Sequence, residues 1–121
     1  MKTVTTMVGN TQLTFGQALE LLAQGKLVTR EGWNGKGMFL FQRPEDSIPV
    51  RIVVENVKSL PQAVKDFYEY RTEGAMDNIA VRFTSYLCMK AADDSIVNGW
   101  LASQTDMVAK DWVEVQVMKE A

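Results

Sequence analysis

The run Trp100-Leu101-Ala102-Ser103-Gln104-Thr105-Asp106-Met107, closing into Asp111-Trp112, carries the most information in this chain. A tryptophan ends one extended segment, a short helical turn follows, and a second tryptophan opens another. Ser103 and Asp106 have the spacing of a capping pair, in which the serine oxygen accepts a backbone N–H left over at the helix start. Further N–H groups near Ser103 and Gln104 are then expected to face outward beside a large aromatic ring. Unpaired donors next to a flat apolar face suit an aromatic, anionic ligand such as a nucleotide. The plainer alternative is that both tryptophans are core.

On either side of this run the pattern alternates between helix and strand. Residues 1–13 read as a polar extended lead-in. Thr14 then caps a helix, with Gln17 completing a capping box and Phe15, Ala18, Leu19 and Leu22 at helical spacing. Gly25 is its expected stop. Residues 26–30 read as a short strand, and glycines at 32, 35 and 37 interrupt the chain around Trp33-Asn34, where Asn34-Gly35 fits a two-residue hairpin turn. Residues 38–41 form the returning strand, which ends before Pro44. Residues 51–57, rich in β-branched side chains, read as extended. Ser59-Leu60-Pro61 opens a helix that places Val64, Phe67, Tyr68 and Arg71 on one side and stops near Gly74. Residues 79–90 return to strand character, Asp93-Asp94-Ser95 turns the chain into Ile96-Val97, and Trp112, Val113, Val115 and Val117 make a last strand. This order predicts an α+β fold: a compact single domain over 1–121, a mostly antiparallel sheet with one N-terminal helix and short helices packed on it.

Composition narrows the chemistry. With 121 residues and 46% apolar content, the chain can bury an ordinary core. Thirteen basic against fifteen acidic residues, a net −2, provide no general basic field for a nucleic-acid polymer or an anionic membrane. No apolar stretch approaches membrane-spanning length, and the N-terminus lacks the apolar core of a secretion signal. The single cysteine, Cys88, lies in an apolar run and excludes an internal disulfide, so the cytoplasm is the expected compartment. Histidine is absent. That removes the commonest general base, the commonest zinc ligand and every histidine triad. No metal site, cofactor or catalytic residue is expected.

Other motifs resolve into local structure. The stretch Arg30-Glu31-Gly32-Trp33-Asn34-Gly35-Lys36-Gly37 looks like a phosphate loop, but Lys36 has no adjacent serine or threonine and no helix follows. It reads as a turn, on which Trp33 and Lys36 still offer a stacking face and a cation. Asp93-Asp94 is explained by turn chemistry better than by a metal pair. The aromatic group Phe67-Tyr68-Glu69-Tyr70 reads as a helix packing face or an oligomer contact.

The residues also carry a family resemblance. Phe15-Gly16-Gln17-Ala18-Leu19, then Gly25-Lys26, then residues 30–40, and far downstream the 100–107 run with Asp111-Trp112, together resemble the phage and prophage family of Thoeris anti-defense proteins of the second type. The match spans roughly 14–41 and 86–117, and 44–80 reads as an expanded, family-specific insert. The resemblance implies a sponge. Similar proteins hold a cyclic ADP-ribose isomer made by a bacterial TIR-domain enzyme without cleaving it, so the host effector is never activated. Some relatives also hold cyclic di- or trinucleotides at separate sites. The family forms homo-oligomers, typically tetramers, with the ligand between protomers.

By chemistry, Trp33 is the candidate for adenine stacking and Trp100 its alternative. Lys36, Arg30 and the N–H groups near Ser103 and Gln104 are candidates for the pyrophosphate, and Asn34 and Asp106 for ribose hydroxyls. Two competing readings stand beside the sponge. One is an enzyme that degrades a nucleotide signal with Asp106 or Asp111 as base. The other is a non-catalytic structural or adaptor protein.

Overall fold

Val28 and Leu40 lie opposite one another on neighbouring strands, and both are fully buried. Around them a computed structural model describes residues 4–33 and 37–118. Those residues form four helices and eight strands, and every strand pairing is antiparallel, so the fold is α+β. Contacts divide the chain into two units, one made of residues 1–43 with 86–121 and the other of residues 44–85.

The first unit is built on a six-stranded sheet. In sheet order its strands are β1 (Thr5–Val8), β8 (Trp112–Met118), β2 (Leu27–Arg30), β3 (Phe39–Arg43), β6 (Tyr86–Lys90) and β7 (Ile96–Asn98). Side chains alternate across a strand, so the register sorts them by face. Val28, Leu40 and Trp112 fall on one face, which helix α1 (Phe15–Ala23) covers with Ala18 and Leu22. Burying such an aliphatic side chain stabilises by roughly 1.5–3 kcal/mol. The Thr14–Gln17 capping box forms as expected, and Gly25 follows the helix in the left-handed region at φ +83°. The polar lead-in, expected merely to be extended, contributes the edge strand β1, whose Val8 pairs with Val115.

The second unit contains a two-stranded sheet of β4 (Asp46–Pro49) and β5 (Ala80–Phe83), with helices α2 (Val50–Asn56) and α3 (Gln62–Thr72) between them in sequence. Here one expectation is overturned. Residues 51–57, read as extended, belong mainly to a helix. Val50 and Val53 are buried at a spacing of three, and Arg51 reaches Glu55 one turn on. Burial of one helical stripe outweighs the weak preference of valine and isoleucine for strands. The strand expected over 79–90 is two strands, β5 and β6, in different sheets. The helix start after Pro61 and its end at Glu73-Gly74 are as predicted.

Candidate functional site

Helix α4 (Gln104–Val108) is only five residues long, and its start is fixed by a complete capping box. The Ser103 hydroxyl accepts the Asp106 N–H at 3.1 Å, while Asp106 Oδ2 accepts the Ser103 N–H at 2.9 Å and its hydroxyl at 2.8 Å. The other oxygen of Asp106 accepts Arg30 Nη1 at 2.8 Å. Arg30 Nε donates to Asp111 Oδ1 at 2.9 Å, so one guanidinium clamps two carboxylates from the far end of the chain. Planar bidentate donation of this kind is what distinguishes arginine from lysine.

Electrostatics follow the contacts. Asp111 is held below the usual carboxylate range chiefly by Arg30, with help from the Gly32 N–H. Burial pushes the Asp106 carboxyl up, but the Ser103 N–H and hydroxyl, Arg30 and the Trp33 side chain outweigh it and keep it low. Arg30 is raised in turn, first of all by Asp111. Both carboxylates are anions with their acceptor positions engaged, which makes them poor proton acceptors near neutral pH.

The same clamp sets the direction of the chain that follows β2. Asp111 accepts the Glu31 N–H on its backbone carbonyl at 3.1 Å and the Gly32 N–H on its carboxylate at 2.9 Å. A side chain at Gly32 would place a Cβ 2.8 Å from that carboxylate oxygen, so any larger residue would have to displace the Asp111 carboxylate from its contacts. Trp33 N–H then turns back onto Arg30 C=O at 3.2 Å. The three tryptophans of the chain consequently meet. Trp33 lies edge-on to Trp112 at 5.4 Å and to Trp100 at 6.0 Å, and Trp100 lies edge-on to Trp112 at 6.3 Å. Trp112 is fully buried and donates its indole N–H to Asp106 C=O at 2.9 Å, whereas Trp33 and Trp100 are half-buried. Edge-to-face contacts of this type add about 1 kcal/mol per pair beyond burial.

Beside Trp33 runs an open groove of about 200 Å³. Thr6 and Val8 of β1, Thr29 and Arg30 of β2, and Phe39 of β3 line it together with Trp33. Aromatic rings and two hydroxyl-bearing threonines are a lining that suits a flat, polar-edged molecule. A larger cavity, about 420 Å³, lies in the second unit, but it is lined by Glu69 and Glu73 with Tyr70 and repels an anion.

Of the residues singled out from sequence, the structure brings Arg30, Trp33, Trp100, Ser103 and Asp106 into one neighbourhood. Gln104 is exposed at the first turn of α4. The Ser103 N–H, expected to face outward, is instead taken by Asp106. Asn34 and Lys36 lie outside the described residues. Sequence reasoning missed Thr6, Thr29 and Phe39, because strand pairing across the sheet is what gathers them. A local signal existed only for Phe39, an aromatic residue directly after the glycine turn. Among the described residues no group of acidic or sulfur ligands has the geometry of a metal site, and no helix is long and apolar enough to cross a membrane.

Comparison with known proteins agrees with the features gathered here. Residues 13–115 match the model of the Thoeris anti-defense 2-like domain, a span that includes the groove-lining strands β2 and β3, Trp33, the Arg30 clamp and the whole second unit. A curated protein of Bacillus phage SP01, Thoeris anti-defense 2, is 38% identical over 102 residues, covering 84% of this chain and 93% of that protein. The chain therefore belongs to the Thoeris anti-defense 2-like family.

Proposed function

We propose that this protein is a phage anti-defense sponge: it binds a cyclic ADP-ribose-type signal, glycocyclic ADP-ribose, beside Trp33 and withholds it from the host effector without breaking a bond. The observation that carries the reading is the groove, where Trp33 and Phe39 supply aromatic surface and Thr6 and Thr29 supply hydroxyls. Trp33 stacks on the adenine. Arg30 is already engaged by two carboxylates, so the pyrophosphate is assigned to Lys36, the other cation singled out in the sequence. The role of the Arg30–Asp106 pair is to hold Trp33 in place.

Non-catalytic capture is favoured over hydrolysis by the state of the acids. Asp106 and Asp111 are held low by their partners, and no histidine is present to act in their stead. Depleting a micromolar messenger requires a nanomolar Kd, about −12 kcal/mol. A pocket that encloses a small ligand usually has roughly 300–1,000 Å³. The groove of one chain, about 200 Å³, is smaller than that and open. The ligand is accordingly held between copies of this chain in a homo-oligomer, which we take to be a tetramer, in the host cytoplasm. Cyclic di- and trinucleotides are the second ligand class to test.

Incubation of purified protein with glycocyclic ADP-ribose, followed by heat denaturation, separates the alternatives. The sponge depletes free ligand and returns it intact on heating. Recovery of a converted product would mean an enzyme, and no depletion before heating would leave a structural or adaptor protein. Trp33→Ala should abolish capture while the oligomer, measured by light scattering, persists.

A further inference from the structure

Lys90 has no part in the reading above, yet its contacts converge on the groove. In the sheet, Phe39 of β3 stands directly opposite Lys90 of β6, and the Lys90 ammonium lies 5.8 Å from the centre of the Phe39 ring. The same ammonium donates to Gly37 C=O at 2.9 Å and pairs with Asp94 at 2.8 Å, and its side chain is 22% exposed. Gly37 and Phe39 both line the groove. One cation thus ties down the backbone on one side of Met38 and the ring on the other. Asp94, the partner of that ion pair, sits at φ +69° in the turn after β6. A charge-assisted hydrogen bond to a carbonyl and a cation over an aromatic face are each directional enough to fix a wall.

We propose that Lys90 is a positioning residue of the groove: it fixes Gly37 and the Phe39 ring in the arrangement that a bound ring system lies against, without touching the ligand. This inference rests on the sponge reading for its functional consequence and stands on the Lys90–Gly37 bond for its structural one. Lys90→Met retains an apolar chain of similar length and removes both polar contacts. Asp94→Asn retains the Gly37 bond and removes only the outer partner.

Two readouts are needed. Amide hydrogen exchange of the peptide containing Gly37 to Leu40, without ligand, should rise in Lys90→Met and stay near wild type in Asp94→Asn and Lys90→Arg. Calorimetry with glycocyclic ADP-ribose should show a Kd raised about tenfold in Lys90→Met, the worth of a hydrogen bond to a charged group, and largely restored in Lys90→Arg. Unchanged exchange in Lys90→Met would overturn the proposal, as would unaltered affinity in a variant whose exchange has risen. Loss of affinity without a change in exchange would also overturn it, because Lys90 would then be touching the ligand. If the wild-type protein takes up no ligand, the sponge reading fails, while the exchange data still decide whether Lys90 fixes the wall. Should Lys90→Met not fold, Lys90→Leu, which also lacks a donor, serves the same comparison.

Discussion

Each unit of this protein contains an arginine bridging two carboxylates, and the two bridges differ in worth. Arg30 joins Asp106 and Asp111 with its side chain 14% exposed. Arg51 joins Glu55 and Asp77 at similar distances, 3.3 and 2.7 Å, but with its side chain 42% exposed. In water the attraction between charges is largely screened, and holding long side chains in place offsets what remains. In the drier setting the same contacts cannot be replaced by solvent, so losing one member leaves charges stranded. Burial, more than bond length, decides which of two similar ion-pair clusters organises its surroundings. Arg30 is tied to the direction of the chain entering Trp33, while Arg51 decorates a helix.

The largest expected effect is that of Arg30→Ala. Removing the shared cation strands two carboxylates and should destabilise the fold by about 3 kcal/mol, seen as a lower urea midpoint. Trp33 loses its anchor in the same variant, so its fluorescence should shift toward that of a solvent-exposed indole. An unchanged midpoint would equate the two clusters.

Acid provides the next test. Asp106 and Asp111 are both lowered from the ordinary value of 3.8, so their contribution is complete above that pH and is lost as pH falls through their depressed folded values. Urea midpoints measured from pH 6 downward (about pH 2 as the lower limit) should drop most steeply below about pH 4. In Arg30→Met, where the carboxylates have already lost their cation, the acid-dependent part should be smaller.

Ser103→Ala removes one half of the α4 capping box and should lower stability by about 1 kcal/mol. It also frees one oxygen of Asp106 from the serine hydroxyl, so the acid profile should soften slightly. Last comes Arg51→Ala, for which no change in the denaturation midpoint is expected, at low or high salt. A clear loss there would show that the exposed bridge matters as much as the buried one.

Much of the architecture was legible in the chain. Both capping boxes, the stop at Gly25, the helix after Pro61 and the Asp93–Ser95 turn are local events, decided within a few residues by side chains that compete for backbone groups. The error at 51–57 shows where local reading goes astray. Val50, Val53, Val54 and Val57 recur at helical spacing, and that period was the better guide, but β-branched composition suggested a strand. For a short apolar run the two signals conflict, and which one prevails depends on what the run packs against. The split of 79–90 between two sheets has no local signature at all.

The site divides in the same way. Its tryptophans and the Ser103–Asp106 pair were visible as unusual residues in unusual places. That Arg30 spends its charge on Asp106 and Asp111, 76 and 81 positions away, was not. Neither was the meeting of Thr6, Thr29 and Phe39 in one groove. Capping, turn chemistry and the absence of histidine follow from residues acting on their neighbours in the chain or on none, so they could be read from the order of amino acids. Partners for buried charges and the walls of a groove are chosen when distant strands settle into register, because desolvation rewards only the pairings that the folded sheet brings together.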